Sequence, residues 1–76
     1  MNNATRKKIQ AIIASLEDMQ SRVEEISDEE GEKRDNMEEN FGNTDRFADI
    51  EAACDALGSA LDSFEDLISN LEDAMV

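Results

Sequence analysis

Residues 47 to 75 read FADIEAACDALGSALDSFEDLISNLEDAM. Apolar side chains recur there at alternating intervals of three and four residues: Phe47, Ile50, Cys54, Leu57, Leu61, Phe64, Ile68, Leu71 and Met75. This is the heptad repeat of a helix that packs lengthwise against another helix, with the apolar residues at positions a and d. Ala53, Ala60, Leu67 and Ala74 occupy the neighbouring g positions. The stretch predicts one long amphipathic helix over about residues 45–75.

The first half of the chain carries the same period. Its apolar seam is predicted at Ile9, Ile12, Leu16, Met19, Val23 and Ile26, with Ile13 alongside. The pattern stops over residues 27–36, SDEEGEKRDN, and resumes at Met37. Gly31 lowers helix stability there by about 1 kcal/mol relative to Ala. We expect a first helix over about residues 3–39, weakened or kinked near Gly31.

Turn-forming residues separate the two helices at positions 40–44. Gly42 suits a left-handed helix C-cap, and Asn43 or Thr44 suits the next N-cap. So short a turn makes the helices antiparallel neighbours. The 76 residues therefore predict a single all-α domain, residues 1–76: a coiled-coil-like two-helix antiparallel hairpin.

The hairpin register predicts where a partner docks. Pairing residues whose numbers add to about 84 places Ile50, Cys54 and Leu57 opposite the polar residues 27–36. An apolar strip is then left uncovered on the second helix: Ile50, Ala53, Cys54, Leu57, Ala60 and Leu67. Such strips mark interfaces. We expect a homodimer forming a four-helix bundle; the alternative is that the strip is kept for a different protein.

The ends of the two helices carry opposite charges. Arg6, Lys7 and Lys8 lie near the start of the first helix, and Glu72 and Asp73 near the end of the second. Each group is unfavourably placed for the dipole of its own helix. In an antiparallel hairpin the two groups become neighbours, so we expect them to fix the orientation of the pair.

Acidic residues dominate the charge: 20 Asp and Glu against 7 Lys and Arg give a formal net charge of −13. That excludes the usual route to direct nucleic-acid binding or to anionic membranes, and it favours a basic partner. The predicted partner-binding face consists of Asp28, Glu29, Glu30, Glu32, Asp49, Asp55 and Asp62. The plainer interpretation is a solvated outer face that keeps the hairpin soluble.

Catalytic chemistry has few candidate residues. The chain has no His and one Cys, so His-dependent triads, bundle di-iron sites and zinc fingers are excluded. The acidic residues 28–32 do not have EF-hand spacing. We predict no enzyme activity, no metal and no cofactor, with Cys54 as a small seam residue. A single Cys, with no segment long enough for a signal peptide or membrane span, favours the cytoplasm.

Two short segments carry a resemblance to a known group. Residues 35–41, DNMEENF, and 44–46, TDR, precede an acidic heptad helix. This arrangement resembles small uncharacterised proteins of phages and mobile elements of Gram-positive bacteria, which often have Pro at the position of Glu38. The resemblance implies a bacterial cytoplasmic setting and roles such as countering host defences.

Two functional hypotheses follow. The first is a non-catalytic acidic binding module, a phage-type inhibitor or nucleic-acid mimic that engages a basic host protein. The alternative is a self-associating scaffold or virion accessory without an inhibitory role.

Overall fold

In the computed structural model the chain forms two helices, α1 (Asn3–Phe41) and α2 (Asp45–Ala74). The structure describes the backbone of residues 1–41 and 45–76, and side chains for 1–37 and 45–76. The helices lie side by side in a rod of 57 × 15 × 13 Å. The predicted all-α hairpin is confirmed. The predicted caps at Gly42, Asn43 and Thr44 lie outside the described residues.

The start of α1 is capped by a residue that the sequence pattern did not single out. The side-chain Oδ1 of Asn2 accepts a hydrogen bond from the backbone N–H of Thr5 at 2.8 Å. The Asn2 carbonyl accepts the N–H of Arg6 at 3.1 Å. The first bond satisfies an N–H group that the first turn of a helix leaves unpaired, and the second is the first backbone bond of α1.

The polar residues 27–36 belong to one uninterrupted helix, and no break falls at Gly31. A Cβ added at Gly31 would meet no atom within 4 Å. The expected weak point therefore lies within continuous α-helix, where a glycine still lowers the free energy of unfolding.

The apolar seam of α2 is confirmed, because all nine predicted residues are half-buried. The seam of α1 differs from the prediction. Covered residues at intervals of three and four are Arg6, Ile9, Ile13, Leu16, Gln20, Val23, Ser27, Glu30, Arg34 and Met37, and Thr5 and Gly31 beside them are also half-buried. Ile12 and Met19 are each 50% exposed, and Ile26 is 49% exposed. The prediction that these three lie in the seam was wrong.

The flanks of the two seams explain this rotation of α1. With Arg6 at position a, Ile12, Met19 and Ile26 fall at g. The g positions of an antiparallel pair lie on the same side, as Lys33 and Arg46 do in a groove with Asn36, Met37 and Ile50. The observed rotation therefore sets the exposed apolar row of α1 beside the alanines of α2. The predicted phase would instead have set Ile13 beside glutamates at the e positions.

The grooves also agree with the predicted register. Met37 shares a groove with Arg46 and Ile50, and Cys54 shares another with Ser27 and Gly31. These residues stand opposite one another in the antiparallel pairing inferred from the sequence. The polar end of the α1 seam therefore faces apolar residues of α2.

Little of the chain is buried. Among the described residues, only Ile13 counts as buried, at 8% exposure. The accessible surface is 5548 Å², whereas a compact monomer of this mass would expose about 4,700 Å². The radius of gyration is 17.3 Å, against about 11 Å for a compact domain of this length. The hairpin is therefore elongated and buries less surface than a globular domain of its size.

Within the described residues, neither helix has a stretch apolar enough to cross a membrane.

Candidate interaction surfaces

The acidic face comprises the b and e positions, on one broad side of the hairpin, and the f positions, on its two outer edges. Fifteen exposed carboxylates lie on it: Glu17, Asp18, Glu24, Glu25, Asp28, Glu32, Asp35, Asp45, Glu51, Asp55, Asp62, Glu65, Asp66, Glu72 and Asp73. Two of them form ion pairs with bases, Asp18 with Arg22 at 2.9 Å and Asp35 with Arg34 at 3.4 Å. Of the described carboxylates, only Glu29, Glu30 and Asp49 lie elsewhere. Nine of the fifteen, at b and e, lie on the broad side, against two carboxylates at c on the opposite side, and the six at f lie along the outer edges.

The predicted partner-binding carboxylates do not form one patch. Asp28, Glu32, Asp55 and Asp62 lie on the acidic face, at b and f positions. Glu29 and Asp49 occupy c positions on the other side. Glu30 lies in the seam, where the Nζ of Lys33 bonds its carboxylate at 3.0 Å. A contact made through the acidic face would use only part of the predicted set.

The opposite side, the apolar face, comprises the g and c positions. Its centre holds two apolar rows: Ile12, Met19 and Ile26 from α1, and Ala53, Ala60, Leu67 and Ala74 from α2. The c positions beside them are mostly small, amide or basic: Lys8, Ser15, Arg22, Ala56, Ser63 and Asn70. Ala60, Ser63, Phe64 and Leu67 line a shallow groove on this face. The face is therefore apolar along its middle, with few carboxylates at its margins.

The strip predicted on α2 is divided between two sides of the hairpin. Ala53, Ala60 and Leu67 lie on the apolar face, and Leu67 is 45% exposed. Ile50 and Leu57, at d positions, border the same face. Cys54 lies at position a, and its groove is shared with Ser27, Gly31 and Arg34 on the acidic side. The thiol is half-buried and free.

The sequence prediction missed Ile12, Met19 and Ile26 as surface residues, because it counted the apolar repeat of each helix separately. The g row of α2 was recognised as apolar. The α1 row has the same spacing of seven residues as the g row of α2. Comparing the two rows is the step that could have identified the shared face from the sequence.

The open end of the hairpin is joined by hydrogen bonds. The Arg6 guanidinium donates to the main-chain oxygen of Val76 at 2.7 Å, and the Met1 amino group donates to the same oxygen at 3.1 Å. The expected neighbours Glu72 and Asp73 are near this end of α2. Among the described residues, the ion pairs fall elsewhere, at Asp18–Arg22, Glu30–Lys33 and Arg34–Asp35.

In the described part of the chain, no group of three or more Cys, Asp or Glu side chains is placed to hold a metal ion. The acidic residues lie in rows along the rod, so their spacing spreads the charge instead of concentrating it around one point.

Comparison with known proteins gives no match: no family model fits the chain, and no curated protein or solved structure is significantly similar to it.

Proposed function

We propose that this chain is a non-catalytic binding module whose acidic face engages a basic, nucleic-acid-binding surface of another protein. The observation that carries the proposal is the segregation of charge. Exposed carboxylates lie in rows on one broad side and the outer edges of the rod, and most of the bases lie on other positions. A one-sided negative field speeds encounter with a basic partner and aligns the rod on it.

The charge spacing supports competition with nucleic acid. Fifteen carboxylates along the 57 Å rod give about one charge per 4 Å, against one per ~1.7 Å in duplex DNA. A single acidic face therefore offers less than half the linear charge of a duplex. Its partner would be a protein whose channel or groove displays several Lys and Arg side chains to phosphates.

The proposed setting is the bacterial cytoplasm, and the proposed form is a homodimer that builds a four-helix bundle. An origin in phages or mobile elements, expected from residues 35–41 and 44–46, is part of the proposal, together with an inhibitory role against a host complex. A scaffold without an inhibitory role is the second candidate, and the apolar face is the observation that favours it, since self-association needs such a surface.

Affinity capture from a bacterial lysate tests the proposal at about 0.15 M and 0.5 M salt, where screening lengths differ. We expect a nucleic-acid-binding protein to be retained at the lower salt and released at the higher salt. Two variants with the same change in net charge sharpen the test. Asp55→Lys with Asp62→Lys alters the acidic face, whereas Glu29→Lys with Asp49→Lys alters c positions on the other side.

We expect capture to be lost in the first variant and kept in the second, with helicity by circular dichroism unchanged in both. Retention of no specific protein at either salt would contradict the proposal and favour the scaffold. Equal loss in both variants, with their molar mass by light scattering the same as that of the unmodified chain, would show that net charge, and not the acidic face, decides binding.

A further inference from the structure

We infer that the apolar face is covered by a second copy of this chain, and that Ile12, Met19 and Ile26 of α1 form the centre of the contact with Ala60 and Leu67. This inference rests on the homodimer proposed above and assigns the surface that forms it. It is independent of the identity of any basic partner.

The exposed area matches what a dimer of this kind would cover. The hairpin exposes 5548 Å², about 850 Å² more than a compact monomer of its mass. A standard stable interface buries about 800 Å² on each partner. One broad face of a rod 57 Å long and 15 Å wide supplies about that area. A second hairpin packed along this face would therefore bury an area about equal to the excess accessible surface.

Polarity selects the apolar face over the acidic one. Packing two acidic faces together would bury rows of like charge, for example Glu17, Glu24 and Glu65, without partners, and unpaired buried charges are strongly unfavourable. On the apolar face, the three half-exposed side chains of α1 lie beside alanines of α2. Small residues next to large ones let two surfaces interdigitate, as in the cores of four-helix bundles.

Charges at the margin of the apolar face suit the rim of an interface. Arg22 lies at a c position and is held by Asp18 of its own helix at 2.9 Å, with both side chains mostly exposed. Lys8, Lys33 and Arg46 lie towards the two ends of the face. Long basic side chains at a rim can stay hydrated while their methylene groups cover apolar surface.

The arrangement has a consequence for the proposed binding activity. Two hairpins joined through their apolar faces present their acidic faces outward on opposite sides. The dimer then carries about one carboxylate per 2 Å of its length, close to the ~1.7 Å of duplex DNA. Self-association through this face would supply the charge density that a single hairpin lacks.

The first test measures molar mass by size-exclusion chromatography with light scattering. We expect the unmodified chain to elute at twice 8.5 kDa, and Met19→Lys with Ile26→Lys to elute at 8.5 kDa with its helicity kept. The matched control is Ala11→Lys with Ala14→Lys, which adds the same charge at exposed f and b positions. We expect the control to remain a dimer.

The outcomes separate the two claims. A dimer that survives Met19→Lys with Ile26→Lys would overturn the assigned face and leave the proposed homodimer standing. A monomeric unmodified chain would overturn both, whereas partner capture is judged by its own experiment. Equal dissociation of the variant and the control would also overturn the assignment, since charge alone would then explain it.

Thiol labelling gives a second measurement that does not depend on a disruptive substitution. In a Cys54→Ala background, Met19→Cys places a thiol on the apolar face and Ala11→Cys places one on the outer side. We expect the first thiol to react about tenfold more slowly at protein concentrations well above the dimer dissociation constant, and the difference to vanish on dilution. Equal rates at high concentration would contradict the contact.

Discussion

The two halves of the hairpin differ in what α1 contributes to the seam. In the open half, α1 supplies Ile9, Ile13, Leu16 and Val23; in the half next to the turn it supplies Ser27, Glu30, Arg34 and Met37. The facing seam of α2 is apolar in both halves. The apolar seam of α2 alone therefore does not determine how much each half of the hairpin contributes to the free energy of unfolding. Apart from Met37, apolar side chains of α1 enter the seam only in the open half, so burial of apolar surface by both helices is concentrated there.

The largest expected effect is at Ile13, the most buried residue that the structure describes. Ile13→Ala removes a side chain at 8% exposure, and we expect the free energy of unfolding to fall by about 2–4 kcal/mol. The same change at the half-buried Ile50, opposite the polar stretch, is expected to lower it by about 1–2 kcal/mol. Urea denaturation followed by circular dichroism measures both.

An Ile50→Ala loss equal to or larger than that of Ile13→Ala would break the comparison. It would mean that the half next to the turn contributes as much to stability as the open half.

Restoring an apolar residue to the polar part of the α1 seam is expected to have the next largest effect. Ser27→Leu places methylene groups in the groove lined by Gly31 and Cys54, and we expect a gain of about 1 kcal/mol in the free energy of unfolding. Ser21→Leu makes the same change at an exposed b position. Thermal denaturation of the pair should show stabilisation in the first that exceeds the second. Equal effects would indicate that only helix propensity had changed.

Glycine substitution gives the smallest expected effect and compares the two halves directly. Gly31 lies in the polar part of α1 and Gly58 in the apolar part of α2, and an added Cβ would meet nothing within 4 Å at either. We expect Gly31→Ala and Gly58→Ala each to raise the free energy of unfolding by about 0.5–1 kcal/mol. A gain at Gly58 alone would show that α1 near Gly31 is not helical in solution.

Much of the fold could be predicted from the sequence, because heptad periodicity and a short turn constrain two helices strongly. The seam of α2 was found in full, since its apolar residues are flanked on one side by glutamates and on the other by alanines. The seam of α1 was not, because its apolar stripe is wide enough for two rotations that share Ile9, Leu16 and Val23. Choosing between the two rotations of α1 requires knowing which residues flank the seam of α2.

The candidate surfaces were predicted less completely for the same reason. Acidic residues were chosen by their position along the chain, and the side of the rod on which each one lies depends on the rotation of its helix. Asp28 and Glu29 are neighbours in sequence, yet they fall on opposite faces of the hairpin.

We propose that one face of the hairpin binds its own copy while the other remains free to bind a basic partner. Sedimentation equilibrium of the unmodified protein at about 0.15 M and 0.5 M salt tests it most directly. We expect a mass of twice 8.5 kDa at both salt concentrations, because an apolar contact does not weaken when charges are screened. A mass of 8.5 kDa at every protein concentration, or a dimer that dissociates as salt rises, would contradict it.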